Sequence, residues 1–462
     1  MIVPLRHAIR GARGCIPAAL LGGGNRIYTN GSGIGSDSSM ISANHRCQVK
    51  KFITTAHSNN ITTSSIDYLV NDVKQIRSFS TNQKTGMDDE YGEMTAEGHT
   101  YMYPGSYVLE NGQTLENAQL RYMTYGTLNE TRDNVLVVTH ALTGNASLHS
   151  WWGDLLGPGL AFDTDKYFIV CSNILGSCYG STGPASPKNN KSGERYGITF
   201  PDVSVRDTVR LQLHMLRDDL KVKSIKCVIG GSFGGMQAVE YAAQAGAIDS
   251  PFSADDESGR ATPFVRTVMP IACGAAHTAW QIAISEVQRQ AIYSDPKWND
   301  GNPSMDDPPL KGLSVARQIG MVSYRTASGY ESKFGRNLRE KTPAYGSNAK
   351  WEVKSYLEYQ GFKFLSRFDP ITYVKLTEQM DTHDVGRGRG GKEAALQNIK
   401  IPALVLGIDS DILYPLDEQK ELAKLFPNGE LNIIHSDAGH DGFLLEQDQV
   451  AAHITKFLLA HE

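Results

Sequence analysis

Seven short apolar runs recur along the chain, each bounded by turn-forming residues. Gln119–Tyr125 alternates apolar and polar positions like a half-buried strand. The others are nearly continuous in Val, Ile and Leu: 134–139, 167–171, 225–229, 265–269, 402–406 and 431–434. Continuous runs suit strands covered on both faces of a parallel sheet. Helix-like stretches lie between them, notably 207–220, with apolar residues at Val209, Leu211, Leu213, Leu216 and Leu220, and 236–245. Strand and helix in alternation predict an α/β protein with a mostly parallel, doubly wound sheet. One interval breaks the rhythm. Residues 277–400 contain no buried-strand pattern, but do contain helical pieces at 279–292 and 314–324 and a Gly-Arg-rich joint at 384–391. This interval is expected to be a helical lid inserted into a core made of 101–276 and 401–462. The polar stretch 248–261 is expected to be a surface excursion.

Chemistry concentrates at the ends of the predicted strands. Gly230-Gly231-Ser232-Phe233-Gly234-Gly235 follows the run 225–229 and precedes a helix-like stretch. This is G-x-S-x-G between a strand and a helix, the setting of a nucleophile elbow. The serine occupies a strained turn, and the flanking positions must lack side chains so that strand and helix can approach. A Gly-rich turn at a helix N-terminus can also cradle phosphate, so the motif alone leaves that reading open. A serine hydroxyl needs a base, and the base needs an orienting acid. In α/β-hydrolases the order along the chain is Ser, acid, His. Asp411, just past the run 402–406, and His440, in Ala-Gly-His-Asp-Gly just past 431–434, fit that order. Asp409 and His435 compete for the two roles; His435 is expected to continue its strand as a packed residue. The amides of Phe233 and Leu142 are the candidate oxyanion donors, Leu142 lying in His140-Ala-Leu-Thr-Gly144 after another strand. His140 is expected to pack or hydrogen-bond behind the site.

Several blocks, in order, resemble the homoserine O-acetyltransferase family. They include His140–Gly144, Trp151-Trp152, Leu156-Gly-Pro-Gly159, Phe162-Asp-Thr-Asp165, Ser181-Thr-Gly-Pro184, Gly230–Gln237, Glu286–Ile292, Gly312–Arg317, Arg367-Phe-Asp369 and Gly439-His-Asp441. The resemblance runs from about residue 101 to the C-terminus. It implies the α/β-hydrolase fold with a helical lid and a ping-pong acyl transfer. Ser232 takes an acetyl group from acetyl-CoA, and homoserine, deprotonated by His440, collects it. The resemblance further implies that Arg317 binds the amino acid's carboxylate, Asp441 its ammonium, and that the enzyme is a homodimer. A zwitterion needs one fixed cation and one fixed anion, and arginine grips carboxylate bidentately. Three features depart from the family pattern or are not readable from it: Phe233 where Met or Leu is common, the longer loop 248–261, and the segment Asp381–Arg389. Serine as acceptor, succinyl as donor, and simple ester hydrolysis remain the alternatives.

Composition narrows the function classes. The chain has 462 residues, 21% of them charged, and a net charge of −5, which gives no reason to expect nucleic acid. Six scattered cysteines with no C-x-x-C pair argue against a disulfide framework. The histidines do not cluster at metal-ligand spacing, so no metal and no permanent cofactor is expected. No apolar run is long enough to span a bilayer, so no membrane partner is expected. Residues 1–86 differ from the rest. They carry ten Lys and Arg against three Asp and are rich in Ser, Thr, Asn and Gly. That composition is expected of a disordered transit peptide and a mitochondrial destination, cytoplasmic residence being the alternative.

Overall fold

The computed structural model describes residues 98–188, 193–255, 259–339, 345–346 and 349–462. The transit-peptide reading of 1–86 lies outside the described residues. Eight strands form one sheet: β1 (His99–Met102), β2 (Gln119–Tyr125), β3 (Val135–Thr139), β4 (Phe168–Ser172), β5 (Ile225–Gly231), β6 (Val268–Ile271), β7 (Ala403–Ile408) and β8 (Gly429–Ile434). Their spatial order is β1-β2-β4-β3-β5-β6-β7-β8. Only β2 runs against its neighbours, pairing antiparallel with β1 and with β4. The sheet is therefore mostly parallel.

Helices α1 (Val205–His214) and α2 (Phe233–Ala245) belong to the core. The interval 277–400 holds α3 (Ala279–Tyr293), α4 (Leu310–Tyr324), α5 (Ala327–Phe334), α6 (Glu352–Phe364), α7 (Pro370–Asp381) and α8 (Lys392–Gln397). Helices α9 (Leu416–Leu425) and α10 (Gln447–Ala460) complete the core. The first helical stretch continues past α1 as a π-helical turn, Met215–Asp219. A capping box starts it: Ser204 Oγ accepts from the Asp207 amide, and the Asp207 carboxylate accepts from the Ser204 amide.

The alternation along each strand divides the core in two. Leu136, Val138, Ile229, Ile271 and Leu406 face one way, packing with Trp152, Phe162, Phe443 and the Val450–Phe457 face of α10. Val137, Val228, Val268 and Val405 face the other way, toward α1, α2, α9 and helices of the interval 277–400. Both faces of the central strands are dry, and β3 is buried at all five positions. Burial on both faces explains why these segments read as continuous apolar runs. The ladder of β6 begins later than the apolar run at 265–269. Val265 makes only an isolated bridge to Ile225, while the Thr267 hydroxyl donates to the Lys226 carbonyl before regular pairing starts at Val268. In the excursion 248–261, Ala254–Asp255 pairs with Ala261–Thr262 as a small exposed hairpin.

Candidate active site

Ser232 stands between β5 and α2 at φ +59°, ψ −122°, a conformation that L-residues rarely adopt. The glycines around it are there for space. A Cβ on Gly234 would lie 2.1 Å from the Thr139 carbonyl oxygen, and one on Gly230 2.1 Å from Thr139 Oγ1. On Gly231 a Cβ would strike the Phe443 ring at 2.5 Å. The elbow is thus wedged against the end of β3 and held there, with the Thr139 hydroxyl donating to the Gly234 carbonyl at 2.8 Å. Strain of this kind costs about 1–3 kcal/mol and persists because the surroundings fix it.

The structure brings three distant residues together. Ser232 Oγ lies 2.8 Å from His440 Nε2, and His440 Nδ1 lies 2.7 Å from Asp411 Oδ2. The second Asp411 oxygen accepts from the amides of Leu413 and Tyr414 at 2.8 and 2.9 Å, which aims the carboxylate at the imidazole. Each of the three follows a parallel strand, so all sit at the carboxyl edge of the sheet. Tyr414 stacks on the His440 ring at 5.1 Å, and Phe443 meets it edge-on at 5.7 Å. Burial works against a charge on His440, but the adjoining Asp411 outweighs it, and the imidazole pKa is raised above its ordinary 6.5.

The competing pair goes elsewhere. His435 Nδ1 meets Asp409 Oδ2 at 2.8 Å with the histidine side chain 77% exposed. The expectation of a packed His435 is corrected: β8 ends one residue earlier, at Ile434, and the imidazole leaves the sheet for solvent.

Leu142 lines the pocket above Ser232. Its loop is fastened from three sides. Gln237 Nε2 donates to the His140 carbonyl, Arg367 Nη1 donates to the Thr143 carbonyl at 2.8 Å, and the Gly144 amide donates to Ala141. His140 Nδ1 donates to the Ala141 carbonyl and its Nε2 accepts from the Ile174 amide at 3.3 Å. Burial lowers the His140 pKa to about 4, so this ring is a neutral strut. Phe233 buries its side chain completely, and its amide opens α2, where no intrahelical acceptor exists. Its departure from Met or Leu is therefore a matter of core packing.

Arg317 projects from α4 into the same pocket, together with Tyr324, Met380 and Asp441. Its guanidinium lies over the Phe364 ring at 5.1 Å. Asp441 is also engaged by Arg325, with Nε 2.7 Å from Oδ2. Sequence reasoning missed Tyr324, Arg325 and Tyr414. A signal for Tyr324 did exist, since it follows Arg317 by two helical turns on one face. Among the described residues, no group of three or more His, Cys, Asp or Glu could hold a metal ion. No helix among them is long and apolar enough to cross a membrane.

Sheet order, elbow and the Ser–His–Asp chain at the strand ends define an α/β-hydrolase-type enzyme, and a family model described as the alpha/beta hydrolase fold matches residues 134–447. A homoserine O-acetyltransferase of Salinibacter ruber is 48% identical over 343 residues, covering 74% of this chain and 92% of that protein. Another, of Chloroherpeton thalassium, is 46% identical over 340 residues, covering 74% and 83%. The crystal structure of homoserine O-acetyltransferase from Bacillus anthracis superposes with a TM-score of 0.68 at 24% identity, covering 78% of this chain and 97% of that one, a likeness of fold. The chain belongs to the homoserine O-acetyltransferase family. These relatives are bacterial and lend no support to a mitochondrial destination.

Proposed function

We propose that this enzyme transfers an acetyl group from acetyl-CoA to the side-chain hydroxyl of L-homoserine, through an acetyl-Ser232 intermediate, in the route to methionine. The observation that carries the reading is the hydrogen-bonded chain Ser232–His440–Asp411, set beneath a pocket that also holds Arg317 and Asp441. Ser232 Oγ attacks the thioester carbonyl while His440 Nε2 takes its proton. The Leu142 and Phe233 amides receive the developing oxyanion. The tetrahedral adduct expels the CoA thiolate, which recovers the proton from His440. Homoserine then enters, its carboxylate on Arg317 and its ammonium on Asp441. His440 removes its hydroxyl proton, the alkoxide attacks the acyl-serine, and Ser232 leaves with that proton. Asp411 stabilises the imidazolium in both halves.

Acceptor choice is tested by free-CoA release with L-homoserine, L-serine or no acceptor. The two amino acids differ by one methylene, worth about 1–3 kcal/mol in a pocket. Homoserine is expected to turn over fastest; serine faster by a wide margin, or equal release without acceptor, would replace the reading with serine acetylation or ester hydrolysis.

The mechanism also fixes a pH dependence. His440 must be neutral to accept a proton, and Asp411 holds its pKa above 6.5. The kcat/KM is therefore low in acid and rises as pH passes upward through that raised pKa. An acid limb with its midpoint above 6.5 is expected in a pH–rate profile; a midpoint well below that value would contradict the pairing.

A further inference from the structure

The end of lid helix α4 grips the histidine loop through three consecutive residues. The Tyr324 ring lies 6.1 Å from the His440 ring. Arg325 Nε reaches Asp441 Oδ2 at 2.7 Å, and Thr326 Oγ1 donates to the Asp437 carbonyl at 2.5 Å. The fit is close. Gly439 takes φ +69°, and a Cβ there would lie 2.8 Å from the Tyr324 carbonyl oxygen and 3.2 Å from the Arg325 carbonyl carbon. Asp441 itself sits at the end of the short 3-10 turn Gly439–Asp441, directly after the triad histidine, and is buried.

A carboxylate meant to receive an ammonium group must have its plane fixed, because one that swings loses its preferred geometry on every turnover. Its neighbour on the turn, His440, is fixed by Asp411, whose grip does nothing for Asp441. From these contacts we infer that Arg325 is a positioning residue for the acceptor: its guanidinium charge, paired with Asp441 at 2.7 Å though Nε does not meet hydrogen-bond geometry there, draws Oδ2 toward itself and leaves Oδ1 for the substrate ammonium. This rests on the proposed assignment of Asp441 to the amino group. Arg325 is 23% exposed along its side chain, at the rim where the lid meets the loop, and it does not line the pocket beside Ser232. It is thus placed to act through Asp441 and not on the acyl group. The two half-reactions should then depend on it differently. Acylation by acetyl-CoA does not use Asp441, whereas capture of the amino acid does.

The test compares wild type with Arg325→Met, which keeps the stem and removes the charge, and Arg325→Lys, which keeps a charge without the planar fork. Acylation is read as the CoA burst without acceptor. Transfer is read with L-homoserine and with γ-hydroxybutyrate, its analogue without the amino group. For Arg325→Met the burst should stay within about twofold of wild type, while KM for homoserine rises roughly tenfold, the scale of one lost charge-assisted contact. Turnover of γ-hydroxybutyrate should not change, and Arg325→Lys should fall between wild type and Arg325→Met. An unchanged homoserine KM overturns the inference. So does a burst reduced as much as transfer, or an equal loss on the analogue, since either would make Arg325 a clamp on the loop's folding alone. If wild-type acyl-enzyme is not discharged by homoserine at all, the acetyl-transfer reading itself has failed.

Discussion

Replacing Ser232 by alanine is expected to lower acetyl transfer by roughly ten-thousand-fold or more, with the protein still folded. The side chain removed is the one atom group that His440 Nε2 can activate, 2.8 Å away. Thr139 Oγ1, at the neighbouring strand end, is committed to the Gly234 carbonyl on the inner side of the elbow. Alanine keeps the backbone demand of the site, since φ +59° is as uncomfortable for it as for serine. Thermal melting should therefore move little while turnover disappears. A variant retaining activity within about tenfold of wild type would mean that the acyl group never resides on this residue.

Gly234→Ala should fail for a different reason. Its Cβ would sit 2.1 Å from the Thr139 carbonyl oxygen and 2.8 Å from the carbonyl carbon. Both are backbone atoms at the end of a fully buried central strand, and neither can turn away. The elbow must therefore separate from β3, at a cost of about 3 kcal/mol or more, the upper part of the range for overpacked cores. The expected result is a clear fall in melting temperature or loss of soluble protein, and low activity in what survives because Oγ is displaced from the imidazole. Gly153→Ala is the internal control. A Cβ there meets nothing within 4 Å, and the change should stay within about 0.5 kcal/mol. Equal stability of the two variants would show that the wedge at Thr139 is not as tight as described.

These two residues also mark how far the sequence could be read. The glycines, the serine and the strand before them form one local pattern, because an elbow is a local device whose steric needs are written in adjacent positions. Asp411 and His440 were legible for a related reason: each lies just after an apolar run, and parallel strands deliver their following residues to one edge. Strand β1 left no such trace. His99–Met102 is an edge strand with a single buried position, so its residues have little hydrophobic pattern to show. The onset of β6 was misplaced because Val265 is buried as deeply as a strand residue while Arg266 and Thr267 interrupt the ladder. His435 misled in the opposite sense, since apolar residues before it say nothing about where a strand stops. Tyr324 could have been placed on the Arg317 face of its helix, but its contact with His440 and the pairing of Arg325 with Asp441 could not. They depend on how the end of α4 packs against the loop after the last strand, which no local pattern encodes.

Acetyl transfer by the proposed route requires a covalent acetyl group on one serine, made by one substrate and removed by the other. Intact-mass spectrometry of the enzyme, quenched after mixing with acetyl-CoA alone, tests it most directly, with peptide mapping to place the adduct. A single acetyl increment on Ser232 is predicted, absent from Ser232→Ala and erased when L-homoserine is added before the quench. Acetyl transfer that proceeds at full rate with no adduct, or with an adduct on another residue, would contradict it.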